Sequence, residues 1–144
     1  MAENLTAFLA QNAIKVENEK FVASERFVGK DGKPIAWEIC CITAAENAEL
    51  RKQCMRQELV AGGRRGQKAA TFDANKYQAM VGARCTVFPN LNDAELQDSY
   101  GVKSAEELLG VMLKPGEFED YTAKVLEVNG FTEDIRDAVD EAKN

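Results

Sequence analysis

The chain has 144 residues, of which 45% are hydrophobic and 29% charged, and its formal net charge is −6 at pH 7. This composition excludes a disordered or collagen-like chain, and the length is typical of a single domain, here residues 1–144. No stretch approaches the roughly 18 apolar residues of a transmembrane helix, and the acidic N-terminus does not resemble a secretory signal. Histidine is absent, which excludes histidine triads, histidine acid–base catalysis and histidine metal ligands.

The first predicted elements are a short helix near residues 4–12 and a β-hairpin near residues 20–42. In the hairpin segment, apolar and polar residues alternate on both sides of Asp31-Gly32. Asp-Gly is a typical type I′ turn, in which both residues have positive φ. Trp37 lies on the second strand and is predicted to be a core residue.

A helix and a basic loop are predicted next. Thr43 and Glu46 form a capping-box pattern, so a helix should begin there and continue to about Glu58. Residues 60–72 follow as a flexible, basic loop rich in glycine and arginine. The loop lacks the Walker spacing for a phosphate and has too few aromatics to stack bases, so a linker or a partner-binding loop is the preferred interpretation.

The remainder, residues 73–144, is predicted to be a helical half. Capping residues and apolar spacing predict helices that begin after Asp73, near Asp93, at Ser104, at Pro115 and after Thr132. The first of these carries an apolar stripe from Tyr77 to Phe88 at helical spacing. The predicted fold class is therefore α+β, a mainly helical domain with an N-terminal antiparallel β-hairpin.

The two halves differ in charge. Residues 1–72 carry 11 Lys/Arg and 9 Asp/Glu, whereas residues 73–144 carry 7 and 15, a net charge of −8. Solvated helix faces explain most such asymmetries, and the alternative is an acidic surface for a basic partner. An acidic half disfavours nucleic acid as a ligand, and no membrane partner is expected.

No catalytic, cofactor or metal site is predicted. The four cysteines, Cys40, Cys41, Cys54 and Cys85, lack metal-ligand spacing and are expected to be reduced, buried thiols. The acidic residues around Glu117 are best explained by the helix dipole. Near Asp93 the chain departs from a calcium-binding loop, so helix capping is the better account.

The sequence resembles one protein family along essentially its whole length. Residues 85–102, CTVFPNLNDAELQDSYGV, closely resemble the XkdN-like phage tail assembly chaperones of long-tailed phages and prophages of Gram-positive bacteria. Further matching segments are residues 8–9, 24–27, 32–35, 37–39, 50–52, 54, 105–109, 113–117 and 128–131. The central stretch is long enough to be specific, and least agreement is expected in the basic loop.

The resemblance implies a non-enzymatic role in the cytoplasm of the bacterial host. Such chaperones are thought to keep the long tape measure protein soluble until the tail tube polymerises around it, and to be absent from the mature virion. The alternative is a structural or adaptor protein retained in the tail. The tail tube protein and a second copy of the chain are further partners to consider.

The partner-binding residues are assigned to the helical half. The resemblance implies that the partner is the tape measure protein. The charge asymmetry indicates that the binding surface lies in residues 73–144. Phe118 and Tyr121 are either core residues or part of a client groove. The candidate contact residues are Glu106, Glu107, Phe118, Glu119, Asp120 and Tyr121.

Overall fold

The computed structural model describes residues 5–131, which form short strands and several helices. The strands are β1 (Glu19–Phe21), β2 (Trp37–Ile39), β3 (Met55–Leu59), β4 (Lys68–Phe72) and β5 (Thr86–Phe88). The helices with fully described bounds are α1 (Ala44–Gln53), α2 (Ala74–Cys85), α3 (Ala94–Tyr100), α4 (Ala105–Met112) and α5 (Pro115–Val128). The α+β class is confirmed. Within the described part of the chain, no helix is both long and apolar enough to span a membrane.

Two predictions concern the chain ends. The helix expected near residues 4–12 is helical at residues 5–6, and turns follow over residues 7–12. Side chains of residues 5–12 are exposed, so packing among the described residues does not extend the helix. The final helix, predicted to begin after Thr132, lies outside the described residues.

The N-terminal hairpin is confirmed as an antiparallel pair, with shorter strands than the alternation indicates. β1 pairs with β2 so that Glu19 lies opposite Ile39 and Phe21 opposite Trp37. An isolated bridge between Val28 and Pro34 closes the far end. The intervening chain leaves the ladder because Ala23 and Ser24 turn into the protein interior, where both are buried.

The prediction of a type I′ turn at Asp31-Gly32 is wrong. Gly32 has a φ of 78°, whereas no non-glycine residue among those described has positive φ. The Gly32 N–H donates to the Gly29 carbonyl at 3.0 Å, and the Gly29 N–H donates to Lys33 across the loop. This is a longer loop in which one left-handed glycine closes the turn, so Asp31 keeps an ordinary backbone conformation.

The helix predicted to carry an apolar stripe from Tyr77 to Phe88 ends three residues early. α2 stops at Cys85, and Thr86–Phe88 forms β5, which pairs antiparallel with β2. The Cys40 N–H donates to the Cys85 carbonyl at 2.8 Å. Pairing with β2 therefore takes the chain out of the helix, and the three-stranded sheet has the order β1-β2-β5.

A second pair of strands replaces the end of α1 and part of the predicted basic loop. The helix expected to reach Glu58 ends at Gln53, and β3 follows. The prediction of a loop over residues 60–72 is wrong for residues 68–72. These residues form β4, which pairs antiparallel with β3. The Asp73 N–H donates to the Cys54 carbonyl at 2.8 Å, which holds the two ends of this β3–β4 ribbon together.

The helix starts follow the capping predictions. Thr43 and Glu46 form both bonds of a capping box. The side chains of Asp73, Asp93 and Ser104 each accept a backbone N–H in the first turn of the following helix. Pro115 occupies the first turn of α5, as predicted. Local side-chain chemistry therefore sets where the helices begin.

The core lies between the sheet and the helices α2, α4 and α5. The indole of Trp37 packs edge-on against the Tyr121 ring, with centroids 5.1 Å apart. Trp37 and Cys85 are both buried, which confirms their predicted core positions. The largest fully buried side chains include Trp37, Tyr121, Ile39, Leu91, Leu108, Leu109, Val81 and Val125.

Gly82 lies where α2 packs closely against side chains of α4 and α5. A Cβ atom there would lie 2.9 Å from Leu109 Cδ2 and 3.2 Å from Thr122 Cγ2. For Gly82→Ala we expect an overpacking cost of about 1–3 kcal/mol, which outweighs a helix-propensity gain of about 0.5–1 kcal/mol.

Gly110 provides the control for this prediction, since a Cβ at that helical position would meet nothing within 4 Å. Gly110→Ala should stabilise the fold by about 0.5–1 kcal/mol. Urea denaturation of both variants measures the difference. Equal stabilisation by both substitutions would mean that the helices are not in close contact at Gly82.

Candidate functional site

A shallow pocket lies where α4 ends and α5 begins. It has a volume of about 340 Å³ and is lined by Gly110, Leu113, Pro115, Phe118 and Glu119. Most of the lining is apolar, and one carboxylate stands at its edge. Only Leu113 and Lys114 separate α4 from α5, so the pocket lies at a short turn between the two helices.

Glu117 fixes the start of α5. Its carboxylate accepts the Lys114 N–H at 2.9 Å, and this bond lowers the pKa of Glu117. Glu117 lies in the first turn of α5, the position in which the helix dipole favours a negative charge.

A glutamine bridge from α2 positions Glu119. The Gln78 amide donates to the Glu119 carboxylate at 3.0 Å and to the Thr122 hydroxyl at 2.6 Å. Glu119 is exposed, whereas Thr122 is fully buried. The bridge therefore holds an exposed negative charge beside the apolar pocket.

The six predicted contact residues do not form one cluster. Phe118 and Glu119 line the pocket together, and Asp120 follows them on the exposed side of α5. Glu106 and Glu107 lie in the first turn of α4, at the end of that helix away from the pocket. We call the pocket together with Glu119 and Asp120 the α4–α5 surface.

Tyr121 belongs to the core rather than to any surface. Its side chain is 0% exposed, and its hydroxyl lies 2.7 Å from the Thr86 hydroxyl. Burial raises the pKa of Tyr121 above its ordinary value. Of the two predicted alternatives for Tyr121, a core residue or part of a client groove, this burial favours the core.

Sequence reasoning missed the β3–β4 ribbon as a candidate surface. Met55, Gln57 and Leu59 lie directly opposite Phe72, Ala70 and Lys68, so these pairs share one face. The available signal was the alternation of Met55 and Leu59 with charged residues, followed by a glycine-rich turn. That alternation is short. The same residues are equally compatible with a continuation of the helix that precedes them.

The charges of the ribbon divide into two groups. Arg56 pairs with Glu58 at 2.8 Å and with Asp73 at 3.5 Å, close to the protein body. Arg64 and Arg65 lie near the tip. Among residues 5–131, neither of them takes part in an ion pair. The ribbon therefore carries uncompensated positive charge at its outer end.

The cysteines are free thiols. Cys54 and Cys85 are buried, and Cys40 and Cys41 are half-buried. Burial raises the pKa of Cys85 to about 11, so this thiol stays protonated at neutral pH. No group of three or more potential metal ligands occurs within residues 5–131.

These features define a small α+β protein with two exposed surfaces of opposite charge. A profile of the phage XkdN-like tail assembly chaperone family matches residues 5–143. The chain belongs to this family, whose members are phage assembly chaperones.

Two proteins of Bacillus subtilis (strain 168) are similar over 142 residues. The protein YqbN is 30% identical over 98% of this chain and 93% of its own length. The phage-like element PBSX protein XkdN is 30% identical over 98% of this chain and 94% of its own length. The second relative places similar chains in a prophage-like element.

A crystal structure of the protein YqbN has a similar fold. The TM-score is 0.72 at 24% sequence identity, and the match covers 88% of this chain and 96% of that chain. The likeness extends over most of both chains, so the arrangement of helices and strands described above is that of a solved fold.

Proposed function

We propose that this protein is a non-enzymatic tail assembly chaperone that binds the tape measure protein and keeps it soluble during tail tube assembly. The observation that carries the proposal is the family match over residues 5–143. Residue similarity to the prophage protein XkdN over 98% of the chain supports it.

The α4–α5 surface suits a client of this kind. A tape measure protein is expected to be long and helical, and an amphipathic helix binds by laying its apolar face into a groove. Phe118 supplies an apolar wall and Glu119 a fixed negative charge. Few groups there demand one particular side chain, so many client segments could be held in turn.

Charge on the helical half would act mainly on the rate of capture. Residues 105–120 contain five acidic residues and one lysine, so a basic client segment would be attracted before contact. Apolar contacts would then supply most of the affinity. Binding should weaken only modestly as the Debye length contracts to about 8 Å at physiological salt.

The proposal includes release before the virion is complete. The chaperone would act in the cytoplasm of the bacterial host and be absent from the mature particle. Mass spectrometry of purified particles tests this, and the proposal predicts that peptides of this chain are missing. Peptides present in fixed stoichiometry would instead show a structural or adaptor protein of the tail.

The kinetics of client binding provide a residue-level prediction. Reversing Glu106, Glu107, Glu119 and Asp120 to lysine should slow association about tenfold or more, because electrostatic attraction is lost. Dissociation should change less. Surface-based kinetics with purified tape measure fragments measure both rates.

A matched variant controls for net charge. It reverses four exposed acidic residues of the other half, Glu17, Glu25, Asp31 and Glu49. The control should leave association close to that of the unmodified chain. An unchanged rate in the first variant, together with loss of binding on deleting residues 62–68, would move the client site to the ribbon.

A further inference from the structure

The β3–β4 ribbon has two outer edges that no other strand of the described chain pairs with. The hydrogen bonds at its two ends show which backbone groups these edges present. The Asp73 N–H donates to the Cys54 carbonyl at 2.8 Å, and the Val60 N–H donates to the Gln67 carbonyl at 3.0 Å. Hydrogen-bonded and non-hydrogen-bonded pairs alternate along an antiparallel ladder. These two bonds therefore determine which residues between them direct their backbone groups outward.

The outer edge of β4 presents the backbone N–H and C=O groups of Lys68, Ala70 and Phe72, because these residues belong to non-hydrogen-bonded pairs. Ala70 is exposed and has a small side chain, so a second backbone can approach it closely. The other strand carries the ion-paired side chains of Arg56 and Glu58, and charged residues protect an edge strand against further pairing. The open edge of the ribbon is therefore that of β4.

The tip of the ribbon holds two arginines on a hydrogen-bonded turn. The Gln67 N–H donates to the Arg64 carbonyl at 2.9 Å, and the Arg64 N–H donates to the Gln67 side-chain oxygen at 2.9 Å. Gly66 has a φ of 79°, as the third residue of a type II turn requires. Arg65 is the second residue of that turn, so it lies at an exposed corner.

Charge indicates the chemistry of a partner for this edge. Residues 55–72 contain four basic residues and one acidic residue, and the acidic residue is ion-paired with Arg56. In the part of the chain that the structure describes, Lys68 and the two tip arginines take part in no ion pair. Residues 69–72 are uncharged. The edge is therefore cationic at its outer end and neutral towards the protein body, and carboxylates complement the cationic end.

We propose that the outer edge of β4 binds an extended segment of another protein, which adds a third strand to the ribbon. The segment runs antiparallel to β4 and pairs its backbone with Ala70. Its C-terminal end is acidic and lies beside Lys68 and Arg65, and its other end is apolar and lies beside Phe72. Main-chain hydrogen bonds supply affinity in this mode of recognition, and side chains supply specificity.

A third strand would also stabilise the ribbon, since a two-stranded ribbon by itself is only marginally stable in water. The inference is independent of the proposed function, because it concerns a different surface from the α4–α5 surface. It therefore requires no tape measure protein for its test.

Fluorescence anisotropy on the full chain tests the inference with a defined probe. The probe is a labelled peptide that alternates valine with threonine and ends in a run of glutamates. One comparison peptide has lysines in place of the glutamates, and another has methylated backbone nitrogens at the residues that face β4. Each should bind about tenfold more weakly than the probe or less, because the first loses charge attraction and the second loses main-chain donors.

A proline substitution tests the edge itself. Ala70→Pro removes the outward N–H of β4 and leaves the ladder bonds intact, because Ala70 belongs to a non-hydrogen-bonded pair. Gln57→Pro is the matched control, since Gln57 lies directly opposite on β3 and loses the equivalent N–H of the other edge. Ala70→Pro should weaken probe binding about tenfold or more, and Gln57→Pro should leave it unchanged. Thermal melts followed by circular dichroism show that both variants fold.

A charge variant keeps the test decisive if a proline variant fails to fold. Arg64→Glu with Arg65→Glu changes only exposed side chains, and Lys30→Glu with Lys33→Glu makes the same change on another exposed loop. The first pair should weaken probe binding about tenfold or more, and the second pair should bind like the unmodified chain.

Three results would overturn the inference. The first is a probe that does not bind, or that binds no better than its methylated form. The second is equal binding by the tip variant and its control. The third is a different occupant: a single-stranded oligonucleotide that binds more tightly than the probe would assign the ribbon to nucleic acid. A tip variant that alters sedimentation of the chain without altering probe binding would assign it to a second copy.

Discussion

Tyr121→Ala should lower the free energy of unfolding by about 3–5 kcal/mol, the typical cost of removing a buried aromatic side chain. The ring is 0% exposed and packs edge-on against Trp37 at 5.1 Å between centroids. Phe21 lies on another side, with its centroid 6.2 Å from that of Tyr121. Truncation therefore opens a cavity between the sheet and α5. Urea denaturation of the variant measures the loss.

Two further variants separate packing from hydrogen bonding and from surface effects. Tyr121→Phe removes only the hydroxyl and should cost about 0.5–1.5 kcal/mol, since Thr86 still donates to the Gly82 carbonyl at 2.7 Å. Phe118→Ala should cost less than Tyr121→Ala, because Phe118 is half-buried at the pocket. Equal losses for the two alanine variants would contradict the assignment of Tyr121 to the core and Phe118 to the surface.

Alkaline pH should destabilise the protein through Cys85. Burial raises the pKa of this thiol from 9.0 to about 11, so the folded state favours the neutral form. The contribution of this neutral thiol to stability is fully present below pH 9. It is lost as the pH rises towards 11, because the thiol ionises first in the unfolded state. Between pH 9 and 11 this raised pKa should remove about 3 kcal/mol from the free energy of unfolding. Denaturant unfolding at a series of pH values between 8 and about 11 measures the slope.

Cys85→Ala is the matched variant for this experiment. It removes the thiol and should flatten the loss of stability between pH 9 and 11. The remaining slope belongs to other groups with raised pKa values, among them Tyr121. A variant whose stability falls in parallel with that of the unmodified chain would show that Cys85 is not the group responsible.

Helix starts could be predicted from sequence because their causes are local. The Thr43 hydroxyl and the Glu46 carboxylate lie three residues apart and satisfy each other's backbone groups. Asp93 and Ser104 each accept one backbone N–H from a residue three positions later. No distant part of the chain is needed for these contacts, so a short pattern contains the whole explanation.

The missed strands depend on partners far away in sequence. β5 continues an apolar helical stripe, and only its pairing with β2 takes it out of the helix. The β3–β4 ribbon likewise depends on the pairing of two segments. Taken separately, their sequence patterns predict the end of a helix and a loop. Short apolar runs are compatible with either state until the tertiary contact is known.

The candidate site shows the same division. Charge asymmetry located the acidic helical half, since it can be counted along the chain. Phe118 and Tyr121 are three residues apart and share a helical spacing, yet one borders the pocket and the other lies against Trp37. The direction in which neighbouring elements cover α5 decides that difference.

Co-expression with the tape measure gene of the same phage element tests the proposed function most directly. The measurement is the fraction of tape measure protein recovered in the soluble lysate and retained on this chain in a pull-down. The proposal predicts that the tape measure is soluble and co-purifies only when this chain is present. A tape measure that stays insoluble beside abundant soluble chaperone, or is soluble alone and does not co-purify, would contradict it.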